Sequence, residues 1–141
     1  MKVKNYNLPD DLLYDKDYGW AKLKDDIATI GVTEFGVKQT KEIAYVELPE
    51  TGKKFSQGEP YSVMEAAKWA GQLKMPLSGE ILEVNETLLD DPTQVNKDPY
   101  GKGWIAKVKI SNKEELKKLM DVKAAAEWLE KTRMSPVGIK K

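Results

Sequence analysis

Through the middle of the chain, apolar and polar residues alternate over short runs, and β-branched or aromatic side chains fill many of the apolar places. Ile27–Thr33 and Glu42–Leu48 are such runs, followed by Tyr61–Glu65, Gly71–Met75 and Glu80–Asn85. Successive side chains of a strand point to opposite faces, so these runs predict short strands with a buried side. The alternation is sharpest late in the chain, where Trp104, Ala106, Val108 and Ile110 are interleaved with Ile105, Lys107 and Lys109. One face is apolar and the other largely charged, the pattern of a half-buried strand. Between the first two runs, Glu34–Lys41 is polar and interrupted by Gly36, which suits a short helix or helical turn. Turn chemistry marks residues 50–54, 57–60 and Pro76–Gly79.

The period then changes. Leu116, Met120, Ala124 and Trp128 recur every fourth position, and Ser111 with Glu114 forms a capping-box signature ahead of them. The spacing predicts one helix over 112–130, followed by a flexible tail over 131–141 that contains Pro136 and Gly138. Several close-spaced strands without a βαβ rhythm predict a mainly β fold. The expected form is an antiparallel β-sandwich or flattened barrel with short helices and the C-terminal helix. Residues 1–130 are expected to form one domain.

Composition narrows the function. The 23 basic and 23 acidic side chains cancel and are interspersed, so no basic patch points to nucleic acid. No run approaches the ~20 apolar residues a membrane helix requires, and no apolar run of signal-peptide length follows residues 1–6; a cytoplasmic monomer is the expectation. Cysteine and histidine are both absent, which removes thiol nucleophiles, the usual zinc ligands and the commonest acid/base at neutral pH. A self-sufficient enzyme is not expected, and no metal site is.

The chemistry concentrates around Lys68. The strand-like runs Tyr61–Glu65 and Gly71–Met75 flank it, predicting a hairpin with the lysine at or near its tip, and Pro76 and Gly79 follow it by eight and eleven residues. A lone lysine among 22 is ordinarily a solvated surface charge. Here small Ala66 and Ala67 leave the tip open, and lysine's flexible stem suits it to become part of a swinging tether.

The stretch Val63–Glu80 resembles the modification hairpin of lipoyl and biotinyl carrier domains. Wider similarity to the H-protein family of the glycine cleavage system runs from about Tyr18 to Glu130. It is carried by Ala28–Thr33, Val46–Glu50, Gly52, Lys54, Val84–Glu86, Asp91–Pro92, Val95–Asn96 and Asp98-Pro99-Tyr100-Gly101-x-Gly103-Trp104. The resemblance implies a barrel-sandwich hybrid fold with lipoate attached covalently to Lys68. It further implies recognition of the hairpin by a lipoylating enzyme at Gly52, Glu65 and Gly79; the turn chemistry of Pro76–Gly79 separately leads us to expect Gly79 at a turn of positive φ. A carrier of this kind catalyses nothing itself. It shuttles an aminomethyl group between glycine decarboxylase and aminomethyltransferase, and dihydrolipoyl dehydrogenase reoxidises the dithiol.

Three positions depart from the family pattern. Gln72 stands where an acidic residue is common, Trp69-Ala70-Gly71 follows the lysine where small residues are usual, and Asp17-Tyr18-Gly19-Trp20 replaces a common His-Glu-Trp. Trp69 is a candidate partner contact. Its presence also fits an alternative, a lipoate-binding protein carrying sulfur intermediates to a heterodisulfide-reductase-like complex. A biotin carrier fits less well, because Ala67 and Trp69 stand where such proteins have methionine. An unmodified interaction module is the reading outside the carrier class.

Overall fold

The alternating runs pair into two antiparallel sheets whose buried sides share one core, as expected for a β-sandwich with a C-terminal helix. The computed structural model describes residues 1–38, 42–67 and 69–131. Its strands are β1 Lys2–Val3, β2 Tyr6–Asn7, β3 Leu13–Tyr14, β4 Gly19–Lys24, β5 Ile27–Val32, β6 Ile43–Val46, β7 Lys54–Phe55, β8 Pro60–Ala66, β9 Trp69–Lys74, β10 Gly79–Val84 and β11 Ala106–Ile110. One sheet has the order β3-β4-β5-β11-β10-β7, the other β6-β8-β9, and β1 and β2 form a small hairpin of their own.

The period-2 pattern fixes which side faces inward. In β11, Ala106, Val108 and Ile110 are buried and Lys107 and Lys109 are not. Ala28 and Ile30 of β5 pair with Val108 and Ala106 and are fully enclosed, while Ile43, Val46, Met64 and Leu73 supply the core from the smaller sheet. Trp20 of β4 is buried and donates its indole N–H to the Pro99 carbonyl at 3.1 Å, tying the late loop to the first long strand. The rest of the Asp98–Trp104 segment is scaffold too. Tyr100 Oη donates to the Asn7 carbonyl at 2.7 Å and accepts from the Glu34 amide at 2.9 Å, and Asn85 Nδ2 donates to the carbonyls of Lys102 and Trp104.

The helices differ from the expectation at the C-terminus. Helix α1 covers Glu34–Val37, with residues 39–41 outside the described residues; α2 and α3 are single turns at Thr87–Asp90 and Gln94–Lys97. The predicted helix over 112–130 is two pieces, a 3₁₀ helix Lys113–Lys118 and helix α4 at Val122–Lys131. Between them Met120 is extended and bridges Tyr14, donating to and accepting from its backbone at 2.7 and 2.8 Å. Those two bonds replace the helical ones that Met120 would have made, a case of tertiary pairing overriding periodicity. The start is capped by Asn112, whose side chain accepts from the Glu114 amide, while the Ser111 amide donates to the Ser78 carbonyl. Asp121 accepts from the Ala124 amide at 2.8 Å and starts α4. Of the expected tail, Lys131 closes α4 and residues 132–141 lie outside the described residues. Trp128 seats α4 on the body through contacts with Tyr18 and Phe35, whose ring centroids lie 5.8 and 6.0 Å away.

Tyr18 and Gly19, two of the departures from the family pattern, thus have local structural causes. Tyr18 fills the aromatic cluster, and a Cβ on Gly19 would stand 3.0 Å from the Asp15 carboxylate. That carboxylate accepts the amides of Asp17 and Gly19 at 2.9 and 2.8 Å. Burial nevertheless pushes its pKa up to about 6, against the opposing pull of the Gly19 amide. A carboxyl whose folded pKa exceeds its unfolded value favours the fold when protonated. Its contribution is complete below about pH 4 and disappears as pH rises through 6. Asp15→Asn keeps the acceptor and removes the charge, so at pH 7.5 it is expected to stabilise the protein by on the order of 1 kcal/mol, a gain that vanishes by pH 4. Thermal melts of both proteins across that range check it; an equal gain at every pH would show that the ionisation is not its source.

Candidate carrier site

Strands β8 and β9 form a hairpin in which Ala66 pairs with Trp69, Glu65 with Ala70, Met64 with Gly71 and Val63 with Gln72. Ala67 and Lys68 are the two residues between the last paired positions. Lys68 itself lies outside the described residues, as does the side chain of Trp69, so the candidate lysine is located only by the strands on either side. Directly paired residues share a face. Met64 and Gly71 are buried, whereas Glu65 and Ala70 are exposed, and Ala67 is exposed beside the tip. The hairpin therefore has an anchored inner side and a solvated outer side. β6 extends the sheet, with Val46 opposite Met64 and Tyr45 opposite Glu65.

The base of the hairpin is clamped. Met75 donates its amide to the Glu59 carbonyl at 2.9 Å and accepts from the Gly58 amide at 2.8 Å. Gln57 reaches the turn twice, its amide to Ser78 Oγ at 2.8 Å and its side chain to the Pro76 carbonyl at 3.0 Å. The Glu115 carboxylate then accepts both the Ser78 amide and the Ser78 hydroxyl, each at 2.7 Å. Two charge-assisted bonds to one short turn fix the direction in which β9 leaves and β10 begins. Glu115 carried no signal in the sequence, because its partner lies 37 residues away and its own segment read as one face of a helix.

Of the expected recognition residues, the structure puts only Glu65 beside the tip. Gly79 opens β10 in the other sheet, where it pairs with Phe55 and Ile110. It is not at a positive-φ turn, as the sequence suggested; it is buried, and the need for glycine comes from close packing against β11. Gly52 does have positive φ, 89°, with open space around its missing Cβ, and its amide donates to the Ile81 carbonyl of the same sheet. These two glycines shape the scaffold around β7 and β10, away from the Ala66–Trp69 end of the hairpin. Gln72 is exposed on the outer face, opposite Val63. Among the described residues no helix is long and apolar enough to cross a membrane.

A sandwich that holds a clamped hairpin with small residues beside its tip is the architecture of a lipoyl-carrier domain. Comparison with known proteins assigns the particular kind. The family model described as glycine cleavage H-protein matches residues 12–132. The glycine cleavage system H protein of Halothermothrix orenii is 41% identical over 124 residues, covering 88% of this chain and 97% of that relative. The one from Methylacidiphilum infernorum is 42% identical over 124 residues with the same shares. A crystal structure of a glycine cleavage system H protein from Mycobacterium marinum superposes with a TM-score of 0.78 at 30% identity, covering 87% of this chain and 99% of that one. The chain belongs to the glycine cleavage H-protein family. It is a carrier for an aminomethyl group, with no catalysis of its own, and its cofactor is lipoate joined covalently to a lysine.

Proposed function

We propose that Lys68 is the lysine that carries the lipoyl group. The loaded chain, a cytoplasmic monomer, then serves glycine decarboxylase, aminomethyltransferase and dihydrolipoyl dehydrogenase in turn. The observation that carries this reading is the pairing of Ala66 with Trp69, which leaves Ala67 and Lys68 as the connection of a two-stranded arm. The surroundings suit a covalent acyl chain, because Ala67 and Ala70 are small and exposed. When attached, the dithiol supplies the redox and group-carrying chemistry that a chain without cysteine lacks. The protein's own part is to carry the attachment point at the end of a clamped hairpin, so that each enzyme meets a high local concentration of the arm.

Within this reading Glu65 is the recognition residue with an exposed carboxylate at the tip, and Gly52 and Gly79 serve recognition only through the shape they give the scaffold. Trp69 remains its partner contact. The three similar proteins named above are all glycine cleavage system H proteins, which supports an aminomethyl cargo over a sulfur intermediate. Reconstitution tests the partners. With the three enzymes, glycine-dependent carbon dioxide release is expected to rise and saturate with lipoylated protein and to be absent with unmodified protein. No turnover from the lipoylated chain, in a mixture that the Halothermothrix orenii relative does support, would remove these partners.

A further inference from the structure

The outer face of the β6-β8-β9 sheet carries a feature that the carrier role has not used. Tyr45 is 46% exposed, one of few large apolar side chains left in solvent among the described residues. It stands directly opposite Glu65, which in turn pairs with Ala70, so one cross-strand row reads Tyr45, Glu65, Ala70, all exposed. Glu42 and Glu47, also exposed, lie just before and after β6. Across the described residues of this half of the sheet, 42–47, 63–67 and 69–72, there are three carboxylates and no basic side chain. No described cation pairs with Glu65 or Glu47 within ion-pair distance.

We infer that this row, with Tyr45 as its anchor, is the docking face for the enzyme that installs the lipoyl group, and that this enzyme meets it with a basic surface. The inference rests on Lys68 being the attachment site. Reach decides between the possible partners. An unmodified lysine amine extends only about 6 Å from its Cα. The Glu65–Ala70 row lies roughly 3.3 Å down the hairpin from the Ala66–Trp69 row, and Tyr45 one strand, about 4.8 Å, to the side. An enzyme that encloses the amine therefore has the Tyr45 row within its reach. Enzymes that use the loaded arm work a full acyl chain farther out and need not touch the sheet. A half-exposed tyrosine opposite Glu65, in a stretch of sheet whose described charges are all carboxylates, has the composition of an interface anchor with an electrostatic rim. The step served is amide formation. The deprotonated Lys68 amine attacks the acyl carbon of a lipoyl–phosphate mixed anhydride made from lipoate and ATP; the acyl–oxygen bond breaks, the phosphate monoester leaves with that electron pair, and the nitrogen gives up one proton to water as the amide forms.

Steady-state lipoylation of the unmodified protein by a lipoate–protein ligase, with lipoate and ATP, tests the face. Tyr45→Ala is expected to raise the KM for the carrier by about tenfold or more while kcat and melting temperature stay near wild type, and Tyr45→Phe to restore most of the loss. Glu65→Lys, a second variant that keeps the tyrosine, is expected to raise KM likewise, and added salt to weaken the wild-type reaction. Once driven to full lipoylation, Tyr45→Ala is expected to match wild type in glycine decarboxylase turnover. Unchanged KM in both variants overturns the inference, as does a defect confined to decarboxylase turnover. Wild type left unmodified at Lys68 would instead sink the attachment reading, and the docking face with it.

Discussion

Exchanging Lys68 for arginine is expected to give a folded protein that gains no lipoyl mass and supports no glycine cleavage. Arginine keeps the positive charge and nearly the length of the side chain, but its guanidinium stays protonated in proteins and offers no free amine to acylate. The described contacts that hold the hairpin do not involve residue 68. The hairpin is held by buried Met64 and Leu73, by the backbone pairs from Ala66–Trp69 downward and by the Glu59, Gln57 and Glu115 contacts at its base. Stability is expected to stay within about 0.5 kcal/mol of wild type, the range for a change that removes none of these contacts. Intact mass after expression with an active lipoylation system reads the loss directly, and a fully modified variant would refute the assignment.

Gly79→Val is expected to have the largest effect on the fold. A Cβ there would stand 2.3 Å from the Lys109 carbonyl oxygen and 2.3 Å from Val108 Cγ1. Neither neighbour can yield cheaply, because one is the backbone of β11 and the other belongs to a fully buried side chain. Gly79 itself is held on both flanks, by Ile110 and Phe55, so the strand cannot slide away. Overpacking of this severity is expected to cost about 3 kcal/mol or more, at the upper end for added methyl groups in a core. For a chain of this size that is a fall in melting temperature of roughly 10 °C. A melt within a few degrees of wild type would mean that β10 and β11 are not packed as described.

The same glycine shows how far the sequence could be read. Its importance was legible, but the cause was assigned to a turn, because a glycine after Pro-x-Ser carries the same letters whether it needs positive φ or lacks room for a Cβ. Most strands from Ile27 onward, and the hairpin around Lys68, were visible because a half-buried strand writes its period into the chain; β7 was hidden, because Lys54–Phe55 is two residues long and adjoins a run with turn chemistry. The strands before Ile27 were not visible either. Lys4, Asn5 and Asp25, all in turns around these strands, have positive φ without being glycine, so the turns lack the usual punctuation. The C-terminal helix was overextended because the i+4 spacing of Leu116, Met120 and Ala124 is indifferent to whether Met120 bonds along a helix or across to Tyr14. The Glu115 clamp on Ser78 joins two segments that only the folded sheet brings together, and no local pattern announces it.

The most direct test of the central claim is to locate the lipoyl group on the protein as it is made. Wild-type chain expressed with active lipoylation, digested and fragmented in the mass spectrometer, is expected to carry one lipoyl group, on Lys68 and on none of the other 21 of its 22 lysines. A lipoyl group found on another lysine, or a chain that stays unmodified while a glycine cleavage system H protein expressed beside it is loaded, would contradict the account.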